Sequence, residues 1–154
     1  MIKRASSFSW RRIVDPAVPR AGVYGGYRAP PVHPRVFAAA LARKVFSNGA
    51  DTEVVAKLYA DTYAGALGHA QEIEFSNVEW GDADAEAFAA VLQTLERVEK
   101  LDLDSNNIGT RGLDALAQKI REGAAPKLRE FYFASNDGNS TKLREACKAR
   151  GIAP

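Results

Sequence analysis

The sequence predicts an α/β fold built around a small parallel sheet, and three observations support this prediction. First, residues 98–120 change from strand-like alternation to helical spacing. Val98, Leu101 and Leu103 alternate with polar residues, and Leu113 then begins a run of apolar residues at the period of a helix. Second, the same pattern recurs once before and once after this segment, centred on Ile73 and on Phe131. Third, the apolar positions of the three copies coincide when the copies are superposed, as in an internal repeat.

Each copy predicts one strand, one turn and one helix. The strands are expected at residues 71–76, 99–104 and 129–134, and the helices near residues 83–95, 110–122 and 140–149. A strand that reaches the next strand through a helix pairs with it in parallel. The two buried rows of the sheet are then Ile73, Leu101 and Phe131, and beside them Phe75, Leu103 and Phe133.

The middle copy carries a spacing that is hard to obtain by chance. Val98, Leu101, Leu103, Asn106 and Ile108 fit the pattern LxxLxLxxNxI. This resembles a leucine-rich repeat of the long, helix-bearing kind found in ribonuclease-inhibitor-like proteins. The resemblance covers about residues 70–150 and implies a short right-handed solenoid of about three repeats. It also implies that the open sheet face binds other proteins.

The polar positions after each strand complete this pattern in part. Asn106 and Asn136 are expected to satisfy backbone groups at the bend after their strands. The first copy has Val78 at the asparagine position, and the third copy has Gly138 at the position of Ile108. Both departures fall in end copies, where capping repeats are expected to be atypical.

Residues 34–69 predict two helices that cap the stack. Pro34 suits the first position of one helix, which Asn48-Gly49 would end. Asp51 or Thr52 is expected to cap a second helix, which carries Val54, Val55, Leu58, Tyr59, Tyr63 and Leu67 and closes at Gly68. Lacking the LxL motif, these helices are expected to cover the open hydrophobic end of the repeats, with the tyrosines as packing residues. The predicted organisation is an arm (1–33), a helical cap (34–69) and repeats (70–154).

Composition places the chain among soluble globular proteins. Its 154 residues are 46% hydrophobic and 26% charged, and no apolar run approaches the ~18 residues that span a bilayer. The single cysteine, Cys147, excludes an internal disulfide framework and fits a reducing compartment. It aligns with helix alanines of the other copies, so a buried core thiol is expected. We therefore expect an intracellular, cytoplasmic protein.

Charge is distributed unevenly along the chain. Residues 1–35 carry seven basic side chains against one acid, a net charge of +6, whereas the whole chain is +2, so the remainder is −4. The arm is also rich in proline and glycine, which predicts a flexible segment. Three interpretations of the arm remain: a solvated tail, an organelle presequence (with a mitochondrial or other organelle location), or a segment that docks on a partner.

The sequence contains no motif that is typical of a catalytic site or a cofactor-binding site. The chain has two histidines without a surrounding motif, and no GxSxG, phosphate-binding glycine loop or CxxC. Exposed carboxylates such as Glu74 and Asp102 can hold a hard cation in principle, but they are far more often plain surface. We predict a non-catalytic protein without metal or cofactor.

The residues between the buried strand positions are the candidate site. They would line the open sheet face: Glu72, Glu74, Lys100, Asp102, Asp104, Glu130 and Tyr132. An acidic face suits a basic segment of a protein partner, so the sequence predicts an interaction module or scaffold subunit.

Arg11 and Arg12 of the arm are the further binding candidates, either for a partner or folded back on Asp102 and Asp104. The alternative is association with RNA or another nucleic acid through the arm. A short stack with an exposed last edge strand is expected to rest on a larger complex.

Overall fold

The computed structural model of the protein describes residues 28–43 and 50–154. In these residues the order is α1 (Pro34–Leu41), α2 (Ala50–Leu67), β1 (Glu72–Glu74), α3 (Asp82–Val91), β2 (Lys100–Asp102), α4 (Thr110–Arg121), β3 (Glu130–Tyr132) and α5 (Thr141–Ala149). A 3₁₀ turn at Leu92–Thr94 follows α3 directly. The predicted α/β class is confirmed. Arg11 and Arg12 lie outside the described residues.

The three strands form one parallel sheet in the order β1-β2-β3. Glu72 pairs with Lys100, and Lys100 pairs with Glu130, which is the register that the superposed copies predicted. Each strand is shorter than predicted, since it covers only the central half of the expected range. Hydrogen bonds nevertheless continue past the strand ends, because the Phe75 N–H donates to the Asp102 carbonyl at 2.8 Å.

The core lies between the sheet and the helices α3, α4 and α5. Both predicted rows are buried in it, and Leu101, Leu103 and Phe131 are fully inaccessible to solvent. Phe88 of α3 and Leu116 of α4 close over these rows. Since each strand is followed by a helix that packs on its neighbour's helix, the copies share one continuous hydrophobic core.

Two asparagines connect successive copies, as the sequence predicted. The Asn106 side chain is 3% exposed and accepts hydrogen bonds from the N–H groups of Val78 and Trp80 at 3.0 and 3.1 Å. Its amide donates to the carbonyls of Phe75 and Leu103 at 2.8 and 3.0 Å. Asn136 repeats part of this arrangement one copy later: it accepts from the Ile108 N–H and donates to the Leu103 and Phe133 carbonyls. Both side chains therefore replace ladder bonds where the chain leaves the strand.

Gly138, a departure from the repeat pattern, is explained by close packing. A Cβ at this position would lie 2.2 Å from backbone atoms of Gly109 and Thr110 in the preceding copy. The Gly138 N–H donates to the Ile108 carbonyl at 2.9 Å. The two turns approach so closely that only a residue without a side chain fits.

Helix α2 is attached to its neighbours by aromatic side chains. Tyr59 stacks on Phe37 with ring centroids 3.9 Å apart, and its hydroxyl donates to the Val32 carbonyl at 2.7 Å. Tyr63 is buried and shares a hydrogen bond with Thr94 at 2.8 Å. The packing role predicted for both tyrosines is confirmed.

Residues 28–33 are held in place as well, although the sequence predicted a flexible arm up to residue 33. The Trp80 indole donates to the Arg28 carbonyl at 2.6 Å. His33 precedes α1 and accepts from the Arg35 N–H at 3.2 Å, so Pro34 is the first helical residue, as predicted.

The start of α2 and its outer side differ from the prediction. The helix begins at Ala50, so Asp51 is no cap but an acid in the first turn, where a negative charge suits the helix dipole. Val54 and Leu58 are 65% exposed, because only the last turns of α2 reach the common core.

The outer edge of β3 is partly covered by Ala153, whereas the sequence predicted an exposed edge strand. Ala153 pairs in parallel with Glu130: its carbonyl accepts from the Phe131 N–H, and its N–H donates to the Arg129 carbonyl, both at 2.8 Å. Arg150 helps to hold this segment by donating to the carbonyls of Ile120 and Ala125 at the end of α4. These bonds place Ala153 at the start of a fourth strand position.

Candidate functional site: the open face of the sheet

The open face of the sheet carries three columns of side chains, set by the strand register. The columns are Glu72, Lys100 and Glu130; then Glu74, Asp102 and Tyr132; then Ser76, Asp104 and Ala134. All of these residues are partly or fully exposed. Neighbouring strands lie ~4.8 Å apart, so charges in adjacent columns act on the same ligand. We call these nine residues the front face.

The seven strand residues predicted as site residues are therefore brought together on one surface. They were found from the alternation of buried and outward positions, and the register confirms their columns. Whether they bind a partner stays a prediction.

Local hydrogen bonds orient several front-face carboxylates. Asp102 accepts from the Asp104 N–H at 2.9 Å, and Asp104 accepts from the Ala134 N–H at 2.6 Å. The Tyr132 hydroxyl donates to Glu130 at 2.8 Å. These carboxylates are held at defined positions and keep further lone pairs open to solvent.

The front face carries closely spaced negative charges, and they shift the pKa values of its side chains. Burial raises the pKa of Asp102, and the carboxylates of Asp104 and Glu74 raise it further, while the Asp104 N–H and Lys100 oppose the shift. The hydrogen bond to Glu130 raises the pKa of the Tyr132 phenol, with smaller contributions from burial and the nearby carboxylates. Lys100 lies 5.4 Å from the centre of the Tyr132 ring. It is the front face's single cation, against five carboxylates.

The helix side of the repeats is different, because ion pairs join its neighbouring helices. Arg111 lies 2.7 Å from Glu86 and joins α4 to α3. Lys142 lies 2.5 Å from Asp114 and joins α5 to α4. Within the described residues, by contrast, no lysine or arginine forms an ion pair with Asp102 or Asp104. The negative charge of these two aspartates is thus less compensated than that of the helices.

A shallow cavity of about 210 Å³ opens where the front face meets the outer edge of β3. Its lining residues are Asp104, Tyr132, Phe133, Ala134, Arg144 and Pro154. The guanidinium of Arg144 lies 5.5 Å from the centre of the Phe133 ring. Sequence reasoning missed this cavity, because Arg144 and Pro154 belong to no outward strand position of the repeat.

The described part of the chain was also searched for a reactive cysteine, a metal site and a membrane-spanning helix. Burial raises the pKa of the Cys147 thiol to about 11, so the sulfur stays protonated and inert at neutral pH, in agreement with the predicted core role. Across residues 28–43 and 50–154, no three histidine, cysteine or acidic side chains are grouped as metal ligands would be. None of the helices described here is both long and apolar enough to cross a membrane.

Comparison with known proteins adds no relative: neither a protein-family model nor a curated protein sequence matches the chain.

Proposed function

We propose that residues 70–154 form a short leucine-rich-repeat unit that binds a basic, extended segment of a protein partner on its front face. Three features support the repeat assignment: the regular strand register, the shared core, and the asparagine bonds between copies. Helices α1 and α2 would serve as the N-terminal cap of this unit, since Tyr63 and Leu67 enter its core.

The observation that carries the binding proposal is the charge of Asp102 and Asp104 along the central strand of the front face. Neither carboxylate has an ion-pair partner among the described residues, whereas Glu86 and Asp114 on the helix side each have one. Keeping like charges close together costs free energy in the isolated protein, and this crowding adds to the raised pKa of Asp102. A lysine- or arginine-rich segment would relieve it and gain charge-assisted hydrogen bonds.

The shape of the front face favours an extended segment over a globular patch. Three strands at ~4.8 Å spacing give a surface only about 10 Å across, which matches one chain with its side chains. Tyr132 and the stem of Lys100 add apolar area beside Asp102, and aromatic residues are among the largest contributors to protein interfaces.

Photo-crosslinking from two positions tests this proposal. A photoreactive amino acid replaces the exposed Glu72 on the front face or, as the control, the exposed Glu86 on the helix side. We expect crosslinks from position 72 to one protein, through a segment rich in lysine and arginine, that position 86 does not give. The same set of proteins from both positions, or no crosslink from position 72, would contradict the proposal.

A further inference from the structure

The described part of the chain begins at Arg28, and this residue is fixed to the first copy of the repeat. The Trp80 indole, which is fully buried, donates a hydrogen bond to the Arg28 carbonyl at 2.6 Å. The Trp80 carbonyl in turn accepts from the Asn107 N–H at 2.8 Å, in the turn after β2. Asn107 follows Asp104 of the front face by three residues. Residues 1–27, which we call the N-terminal segment, are therefore attached to the chain near the front face.

The N-terminal segment lies outside the described residues, and its length is sufficient to reach the front face. The three residues from Asp104 to Asn107 span at most about 11 Å, and the Trp80 side chain with its two hydrogen bonds adds on the order of 10 Å. Arg12 precedes Arg28 by 16 residues. A flexible chain of that length has a root-mean-square span of about 20–24 Å. Arg12 can thus reach Asp104 without full extension of the chain between them.

The charges of the N-terminal segment and the front face are complementary. The segment has a net charge of +4, from five basic side chains and one acid: Lys3, Arg4, Arg11, Arg12, Arg20 and Asp15. The front face has five carboxylates and one cation, a net charge of −4. Its central carboxylates, Asp102 and Asp104, have no ion-pair partner among the described residues. The chain therefore contains its own basic segment for the front face.

We propose that the N-terminal segment binds the front face of the same chain and regulates it, with Arg11 and Arg12 on Asp102 and Asp104. This inference rests on the proposed function, because a partner's basic segment competes for the same carboxylates. The occupant is the chain's own segment rather than that of a second copy, since a tether of this kind supplies an effective concentration of about millimolar. A partner must exceed this competition, so weakly basic segments are excluded from the front face.

A spin label on the full chain tests this contact without a partner. Ser9→Cys introduces the one reactive thiol, because Cys147 is buried and stays protonated at neutral pH. A nitroxide attached at position 9 broadens the NMR signals of nearby amides. We expect broadening several times stronger for the amides of β2 than for those of α4. Salt at about 1 M, where the Debye length is about 3 Å, should remove the difference.

Two controls locate the contact. Asp102→Asn/Asp104→Asn should abolish the stronger broadening of β2, whereas Glu96→Gln/Glu145→Gln changes the net charge equally and should retain it. Mixing the labelled protein with an unlabelled, isotopically enriched copy distinguishes one chain from two. Broadening of the enriched copy would place the segment on a second molecule and overturn the proposal.

A competition experiment measures the regulation. The probe is a synthetic peptide with the sequence of residues 3–14, KRASSFSWRRIV. Its Kd is measured for the wild type, for Arg11→Gln/Arg12→Gln, and for Lys127→Gln/Lys148→Gln, which removes the same charge at exposed positions. We expect the arginine variant to bind the peptide about tenfold more tightly than the wild type, as for a face that is occupied about nine-tenths of the time. The lysine variant should bind it like the wild type.

This inference and the proposed function can fail separately. Equal broadening of β2 and α4, equal affinity of the three proteins for the peptide, or no binding by any of them would overturn the regulatory role of the N-terminal segment. Crosslinks from position 72 to a partner would then still support the proposed function. Stronger broadening of β2 without any crosslink from position 72 would instead contradict the partner and retain the contact within the chain.

Discussion

Replacing Asn106 by alanine tests how the copies are held together. The substitution removes the acceptor for the Val78 and Trp80 N–H groups and the donor to the Phe75 carbonyl. The Leu103 carbonyl keeps its bond from Asn136. Three backbone groups therefore lose a hydrogen bond at a buried site, each at a cost of about 1–3 kcal/mol. Since water can enter part of the space, we expect a loss of about 3–6 kcal/mol, a large share of the roughly 5–15 kcal/mol typical of a domain.

Urea unfolding followed by circular dichroism measures this loss. With slopes of about 1–3 kcal/mol/M, the midpoint of Asn106→Ala should fall by on the order of 2 M. Asn107→Ala is the matched control, because Asn107 is the adjacent asparagine and is exposed; its midpoint should stay within the range of ordinary surface substitutions. Equal midpoints for the two variants would refute the argument that Asn106 joins the copies.

Three further perturbations follow from single contacts. Gly138→Ala should destabilise the fold by about 1–3 kcal/mol, because the methyl group meets backbone rather than a movable side chain; thermal unfolding should show a smaller effect for Gly81→Ala, where nothing lies within 4 Å. Tyr63→Phe should cost about 1 kcal/mol in urea unfolding through its lost hydrogen bond to Thr94; no change would show that this bond does not help to fix α2. The raised pKa of Cys147 means that the folded state binds the thiol proton more tightly than the unfolded state, so folding stability should decrease as the pH rises from about 9 to about 11. A Cys147→Ala variant should show a smaller decrease, because only the raised pKa values of Tyr63 and Tyr132 then contribute to it; an identical pH profile would contradict the assignment.

The sheet register could be predicted because its signal is periodic. Buried strand positions alternate and helix positions recur at the period of a helix, so a shift by one position would expose Leu101 or Leu103 to water. The register of all three copies followed from that requirement, and it placed the front-face columns as well. The role of Asn106 followed in the same way, because a chain that leaves a strand must satisfy its backbone groups elsewhere.

Features that depend on contacts between distant segments could not be predicted from the periodicity of the sequence. The bond from Trp80 to the Arg28 carbonyl joins two segments far apart in the chain, and no local pattern marks it. Val54 and Leu58 have the spacing of a buried helix face, yet only the end of α2 reaches the core. Pairing of Ala153 with the edge of β3 uses backbone groups, which any sequence provides. The cavity at this edge was missed because Arg144 and Pro154 belong to no outward strand position of the repeat.

The proposed function depends on the charge of the front face, and one binding measurement tests it most directly. The affinity of the lysine- and arginine-rich segment crosslinked at position 72 would be measured for the wild type, for Asp102→Asn/Asp104→Asn, and for Glu96→Gln/Glu145→Gln. Both double variants change the net charge equally, and both asparagines keep an acceptor oxygen of the carboxylates that they replace. We predict about tenfold or greater weakening for the front-face variant alone, with a smaller salt dependence. Equal weakening by the two variants, or none by the front-face pair, would contradict a binding role for the front face.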